Sequence, residues 1–181
     1  MKFYLNFSTP NSKIFSNCYY KIHNINVNGE YAVFFPQYVQ DVKGGTLGRI
    51  IRVFASSKES LESLRKQIAT KKSRIHSSPI KAVPNDVIGH FNVRRVRTKT
   101  QSDIRRMIRR AIERGETKEQ ALDAIKFANR ANMYPRVFLY SNTTKQTYPI
   151  HINKIPQIKP VRGKFNRYGL GVDGATVPFF E

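Results

Sequence analysis

Cysteine is nearly missing from this chain. Cys18 is the single one in 181 residues, which excludes an intramolecular disulfide and a cysteine-built zinc cluster. It reads as a small, half-buried apolar residue. Acid is scarce as well: 12 Asp and Glu stand against 32 Lys and Arg, a formal net charge of +20. Such a field attracts polyanions and says little about fold. Nucleic acid is the leading partner and an anionic membrane surface the second. Long apolar runs are missing too, since every window of about eighteen residues holds charges or turn formers, and no membrane-spanning helix is expected. No apolar core followed by a small-residue cleavage site opens the chain, so no secretory signal is expected. The first acid is Glu30, as in transit peptides, yet no Arg precedes Arg49 and residues 2–7 already read as a strand. A cytoplasmic protein is the expectation. Repeats and low-complexity tracts are absent.

What is present is enough for a core, with 40% hydrophobic residues. Residues 1–90 read as strand, helix, strand, strand, helix, strand. Lys2 to Phe7 is a short strand, and Asn11 to Asn24 a helix with Ile14, Tyr19 and Ile22 as apolar points. Tyr31 to Phe35 is β-rich and stops at Pro36. After a glycine-rich turn over 41–48, Leu47 to Ala55 alternates loosely, as a half-exposed strand does. Ser57 caps a helix with Leu61, Leu64 and Ile68 on one face. A further strand falls within 74–83. The fold class is α+β, with a ferredoxin-like β-α-β-β-α-β unit first and residues 91–181 as a second unit.

In that second part Phe91 to Arg97 is a basic strand or extended linker. Thr100 to Gly115 carries an arginine-rich helix (about 103–114), capped by Thr100 or Ser102 and ended by Gly115. Ile104, Met107, Ile108, Ala111 and Ile112 form an apolar stripe on it. A second helix starts at Thr117 with Gln120 completing a capping box, and Leu122, Ile125 and Ala128 point inward. Arg136–Tyr140 and Tyr148–Ile152 read as strands joined by a polar loop. The tail from Arg167 to Phe180 reads as a hairpin or edge strand.

A charged helix face is usually just solvated, but such faces mix signs. Here Arg105/Arg109 and Arg106/Arg110 are like-charge pairs at i,i+4, each repelling by a few tenths of a kcal/mol. Arg94, Arg95, Arg97 and Lys99 add to them, and only Arg109–Glu113 gives relief. A polyanion that neutralises this face is the simplest explanation, and guanidinium forks fit phosphate oxygens and guanine edges. No helix-turn-helix, zinc-finger or zipper pattern accompanies the helix, which favours RNA over DNA.

Metal-dependent nucleases gather carboxylates, whereas the acids here are scattered. RNA can also be cut without metal, because its 2′-hydroxyl is a built-in nucleophile. A base must take that proton, and histidine suits the role near neutral pH. The residues alone do not choose among His23, His76, His90 and His151.

The tail Tyr168-Gly-Leu-Gly-Val-Asp-Gly-Ala-Thr-Val-Pro-Phe-Phe180 resembles the C-terminal signature of the type I-F CRISPR repeat-processing endoribonucleases, the Csy branch of the repeat-cleaving family. Arg95-Val96 followed by Arg105-Arg-Met-Ile-Arg-Arg110 is similar to that family's linker and arginine helix. Lys21-Ile-His-Asn24, Ala32 to Pro36 and Leu47 to Ser56 match in the same order. The resemblance implies cleavage of precursor CRISPR RNA just 3′ of a repeat stem-loop, giving a 2′,3′-cyclic phosphate and a 5′-hydroxyl with no metal or cofactor. It also implies that the enzyme stays on its crRNA, alongside other subunits of a type I-F surveillance complex.

By position, it assigns His23 as proton acceptor, Ser141 with Thr143 and Thr144 as holders of the ribose, and Tyr168 as the residue that orients the histidine. Tyr148 would stack under the last base pair. Arg105, Arg106, Arg109 and Arg110 would contact phosphates along the stem. The chain departs from the family at Arg97, where a glutamine is common, and in a shorter link between Arg97 and Arg105. Arg prefers guanine's O6 and N7, so Arg95 and Arg97 are expected to read guanines in the two lowest base pairs. Two other readings compete: a non-catalytic basic RNA-binding protein, and a basic DNA-binding regulator.

Overall fold

The computed structural model describes residues 1–41, 45–97, 99, 101–128 (backbone alone at 126–128) and 133–181. The chain is α+β, with two antiparallel sheets built from successive halves of the sequence. The first has strand order β2-β3-β1-β4, from β1 (Phe3–Ser8), β2 (Ala32–Phe34), β3 (Ile50–Ala55) and β4 (His76–Ser77), while β5 (Lys81–Ala82) also pairs with β1. Ser78-Pro79 breaks the strand expected in 74–83 into β4 and β5, since proline cannot donate to a ladder.

Helix α2 (Lys58–Ile68) packs on this sheet, and α1 (Ser12–Ile25) packs against α2 and the second sheet. Each starts where a side-chain oxygen takes up a free backbone N–H: Asn11 Oδ1 accepts from Ile14 N at 2.9 Å and Ser57 Oγ from Ser60 N at 3.2 Å. Helix α1 buries Phe15, Cys18, Tyr19 and Ile22. Cys18 is therefore fully buried rather than half-buried, and desolvation pushes its thiol up to about 12.

Strand β3 departs from the half-exposed reading, for Ile51 to Ala55 are all buried. The reason is Arg52. Its Nε donates to Asn6 Oδ1 at 3.0 Å and its NH1 to the Phe180 carbonyl at 2.7 Å. The guanidinium also lies over the Phe180 and Tyr4 rings, at 4.3 and 5.1 Å. A basic residue that looks solvent-facing in sequence is instead the clamp for the tail.

The second sheet has order β7-β8-β6-β9, from β6 (Gly89–Val96), β7 (Arg136–Tyr140), β8 (Thr147–Gln157) and β9 (Val177–Phe179). Strand β8 runs five residues beyond the expected Ile152 despite Pro156, because β6 pairs with it from His90 to Val96. One hydrophobic core spans both sheets. At their junction the Lys154 ammonium sits 4.8 to 5.9 Å from the rings of Phe91, Tyr38, Phe34 and Phe179. Desolvation there lowers its pKa. A second join is made by the tail loop: Val33 N, on edge strand β2, donates to Gly169 O at 2.8 Å.

Helices α3 (Gln101–Glu113) and α4 (Lys118–Ala128) pack mainly on each other. Gly115, at φ +87°, ends α3. Glu116 N donates to Ala111 O and Gly115 N to Ile112 O, the paired bonds that close a helix around a left-handed residue. Thr117 and Gln120 form the expected capping box, at 2.9 and 3.2 Å. The proposed cap Thr100 and the side chain of Ala128 lie outside the described residues. No helix among the described residues is long and apolar enough to cross a membrane.

Candidate active site

His23 occupies the last turn of α1, where the buried face anchored by Tyr19 and Ile22 leaves it half-exposed at the helix end. The tail crosses this end. Asn26, the residue that ends α1, donates through Nδ2 to Tyr31 O and Asn166 O, at 3.0 and 3.3 Å. Asn166 Oδ1 in turn accepts from Tyr168 N and Leu170 N, at 2.9 and 3.2 Å. Gly169 holds the turn at φ +73°, and a Cβ there would meet Val33 Cγ2 at 2.5 Å. These contacts fix Tyr168 beside the helix.

The His23 and Tyr168 rings stack, with centroids 4.2 Å apart and planes 6° from parallel. His23 Nδ1 lies 3.4 Å from the Arg167 carbonyl oxygen. A carbonyl only accepts, so this contact places the proton on Nδ1 and leaves Nε2 with its lone pair. Burial lowers the pKa of His23; the Arg167 carbonyl opposes that shift and the Arg167 charge adds to it. Burial thus favours the neutral form of the imidazole.

Behind the stack is a tyrosine network. The buried Tyr19 hydroxyl donates to the Tyr168 carbonyl at 2.9 Å, and the Tyr148 and Tyr168 hydroxyls lie 3.3 Å apart. Desolvation and then the bond to Tyr168 push Tyr148 up to about 12. The Arg95 guanidinium lies 5.7 Å from the centre of the Tyr168 ring. His23, Tyr168, Tyr148 and Arg95, far apart in sequence, therefore meet. Arg167 joins them through Nε, which donates to the His23 carbonyl at 3.2 Å. Sequence reasoning missed Arg167 and Tyr19; the basic residue preceding Tyr168 was the available signal for the first.

Ser141 begins the β7–β8 turn. Its N–H donates to Gln146 O and its Oγ accepts from Thr144 N, at 2.8 and 3.1 Å. Tyr148 pairs with Leu139, so Ser141 lies about 7 Å further along the strand. Thr143 and Thr144 are exposed on the same turn. No contact joins Ser141 to His23 among the described residues.

Arg105, Arg106, Arg109 and Arg110 are exposed along one face of α3, and Ser102, Arg105, Arg106 and Arg109 line a recess of about 360 Å³. Arg109 reaches Glu113 at 3.7 Å, with both side chains mostly exposed, an ion pair worth well under about 1 kcal/mol. The opposite stripe is only half covered: Ala111 is buried, Ile104, Met107 and Ile108 are partly buried, and Ile112 is 50% exposed. Arg97 is exposed just past β6. The chain from Val96 to Gln101 spans at most about 18 Å, so the arginine helix starts within that reach of the sheet that carries Arg95.

Two comparisons bear on what this arrangement serves. A family model described as CRISPR-associated protein (Cas_Csy4) matches residues 5–180. Among curated proteins no relative matches.

Proposed function

Since the chain belongs to the Csy4 family of type I-F CRISPR-associated endoribonucleases, which process precursor CRISPR RNA, we propose a specific route for its reaction. The protein binds the CRISPR repeat stem-loop and cuts at the 3′ base of the stem without a metal ion or cofactor. His23 Nε2 takes the proton of the 2′-hydroxyl, and that oxygen attacks the adjacent phosphorus. The P–O5′ bond breaks, leaving a 2′,3′-cyclic phosphate and a 5′-oxygen that takes up a proton.

Ser141, with Thr143 and Thr144, holds the ribose, and Tyr168 orients the imidazole through its ring face. Tyr148 packs under the last base pair. Arg105, Arg106, Arg109 and Arg110 follow the phosphates of the stem, while Arg95 and Arg97 read guanines in the two lowest pairs. Residues 1–90 act as a ferredoxin-like unit carrying the base, and 91–181 as the unit that grips RNA. The product crRNA stays bound and recruits other subunits of a surveillance complex in the cytoplasm.

The observation that supports this best is the 4.2 Å stack of His23 on Tyr168, with Nδ1 turned to the Arg167 carbonyl. The test is incubation with a labelled repeat hairpin in EDTA. A single cut is expected, reduced at least about 100-fold in His23→Ala with affinity kept. Binding by the parent protein without a cut would instead support the non-catalytic reading, and preference for duplex DNA the regulator. Changing the second base pair to U·A should weaken binding by about 1–3 kcal/mol; equal affinity for both hairpins would remove guanine reading by Arg97.

A further inference from the structure

A second basic surface leaves the same end of α1. Between β8 and Tyr168 the chain runs as a strap, residues 158–167, that carries Lys159, Arg162, Lys164 and Arg167 and no acid. Its backbone lies directly on the segment after α1, since a Cβ at Gly29 would meet the Phe165 carbonyl oxygen at 1.9 Å. The strap walls a recess of about 880 Å³, whose ionisable side chains are Lys2, His90, Arg162 and Lys164, with no carboxylate among them. Lys2, Arg162 and Lys164 are exposed. From Lys164 to Arg167, which bonds the His23 carbonyl, the chain spans at most roughly 10 Å. A strand leaving the imidazole thus meets a positive recess within a few nucleotides, on a route separate from the arginines of α3.

We propose that this recess is a subsite for the single-stranded RNA immediately 3′ of the cleaved phosphate, held through its phosphates by Arg162, Lys164 and Lys2. The proposal rests on the hairpin-cleaving reading above, because it takes its direction from the position of the cut. Single-strand grooves of this kind are electrostatic and tolerant of sequence.

The test uses the full chain and repeat hairpins made uncleavable by a 2′-deoxy sugar at the cut. They end at the cut, or carry about four extra nucleotides on the 3′ or the 5′ side. The 3′ extension should tighten binding roughly tenfold at low salt and steepen the log–log salt slope by about 1–2. The Arg162→Ala/Lys164→Ala double variant should lose that gain yet bind the unextended hairpin as the parent does. No gain from the 3′ extension, an equal gain from the 5′ one, or equal weakening of every hairpin in the double variant would each overturn the subsite. Failure to cut a ribose hairpin in a parallel assay would instead strike the parent reading. The two can therefore fail separately.

Discussion

Two regions of the molecule are built on opposite plans. Around His23 every neighbour is tied: Tyr168 by Asn166 and Tyr19, the tail by Arg52, the sheets to each other by Lys154 in its ring of aromatics. Around Arg105 to Arg110 little is tied, for α3 leans on α4 with a half-covered stripe and keeps its guanidiniums in solvent. A proton transfer tolerates little misplacement, and an electrostatic grip tolerates a good deal. On the proposed route, rigidity sits where the chemistry needs it, and like-charge repulsion is left where a polyanion can relieve it.

This contrast can be broken most forcefully at the arginines. Replacing Arg105, Arg106, Arg109 and Arg110 together by alanine should flatten the salt dependence of hairpin binding by about 3 in slope. Thermal stability should be unchanged or slightly raised, because two repelling pairs disappear. A marked drop in melting temperature would mean that the face is structural.

The complementary substitution is Arg52→Ala. It removes a buried cation with two hydrogen bonds and should cost about 2–4 kcal/mol of stability, read by denaturant unfolding. A change under about 0.5 kcal/mol would show that the tail is not clamped as described.

Smaller effects should separate the parts of the stack. Tyr168→Phe keeps the ring on His23 and loses only the contact with Tyr148, so cleavage should fall a few-fold at most. Tyr168→Ala loses the stack, worth about 0.5–1.5 kcal/mol, and should cost more in cleavage than in affinity. Equal losses in the two variants would transfer the role from the ring to the hydroxyl.

The pH profile sharpens the same point. Burial holds the folded His23 pKa below its ordinary 6.5, so single-turnover cleavage should rise with pH through an inflection below 6.5 and then level off. The associated stability is present above 6.5, where folded and unfolded imidazoles are both neutral, and is lost as pH falls through the folded value. An inflection above 6.5 would contradict a desolvated base.

Local signals in the sequence were enough for most elements. Asn11, Ser57 and the Thr117–Gln120 pair mark helix starts through hydrogen bonds made within a few residues, and all of them form. What escaped depends on partners remote in the chain. Strand β8 continues past Ile152 because β6 lies beside it, and Arg52 is buried because Phe180 closes over it. The site divides in the same way. His23, Tyr148, Tyr168 and Arg95 could be named from motif order, whereas Tyr19 and Arg167 take their places through backbone contacts that no motif records.

On the proposed route, the bond from Val33 N to Gly169 O would tie solubility to catalysis. Strand β2 is the outer strand of its sheet, and an open strand edge invites pairing with other molecules. The loop that seats Tyr168 is also what closes that edge. Substitutions that lift it should therefore yield protein that is not merely inactive but prone to self-association, and the two defects should appear and be rescued together.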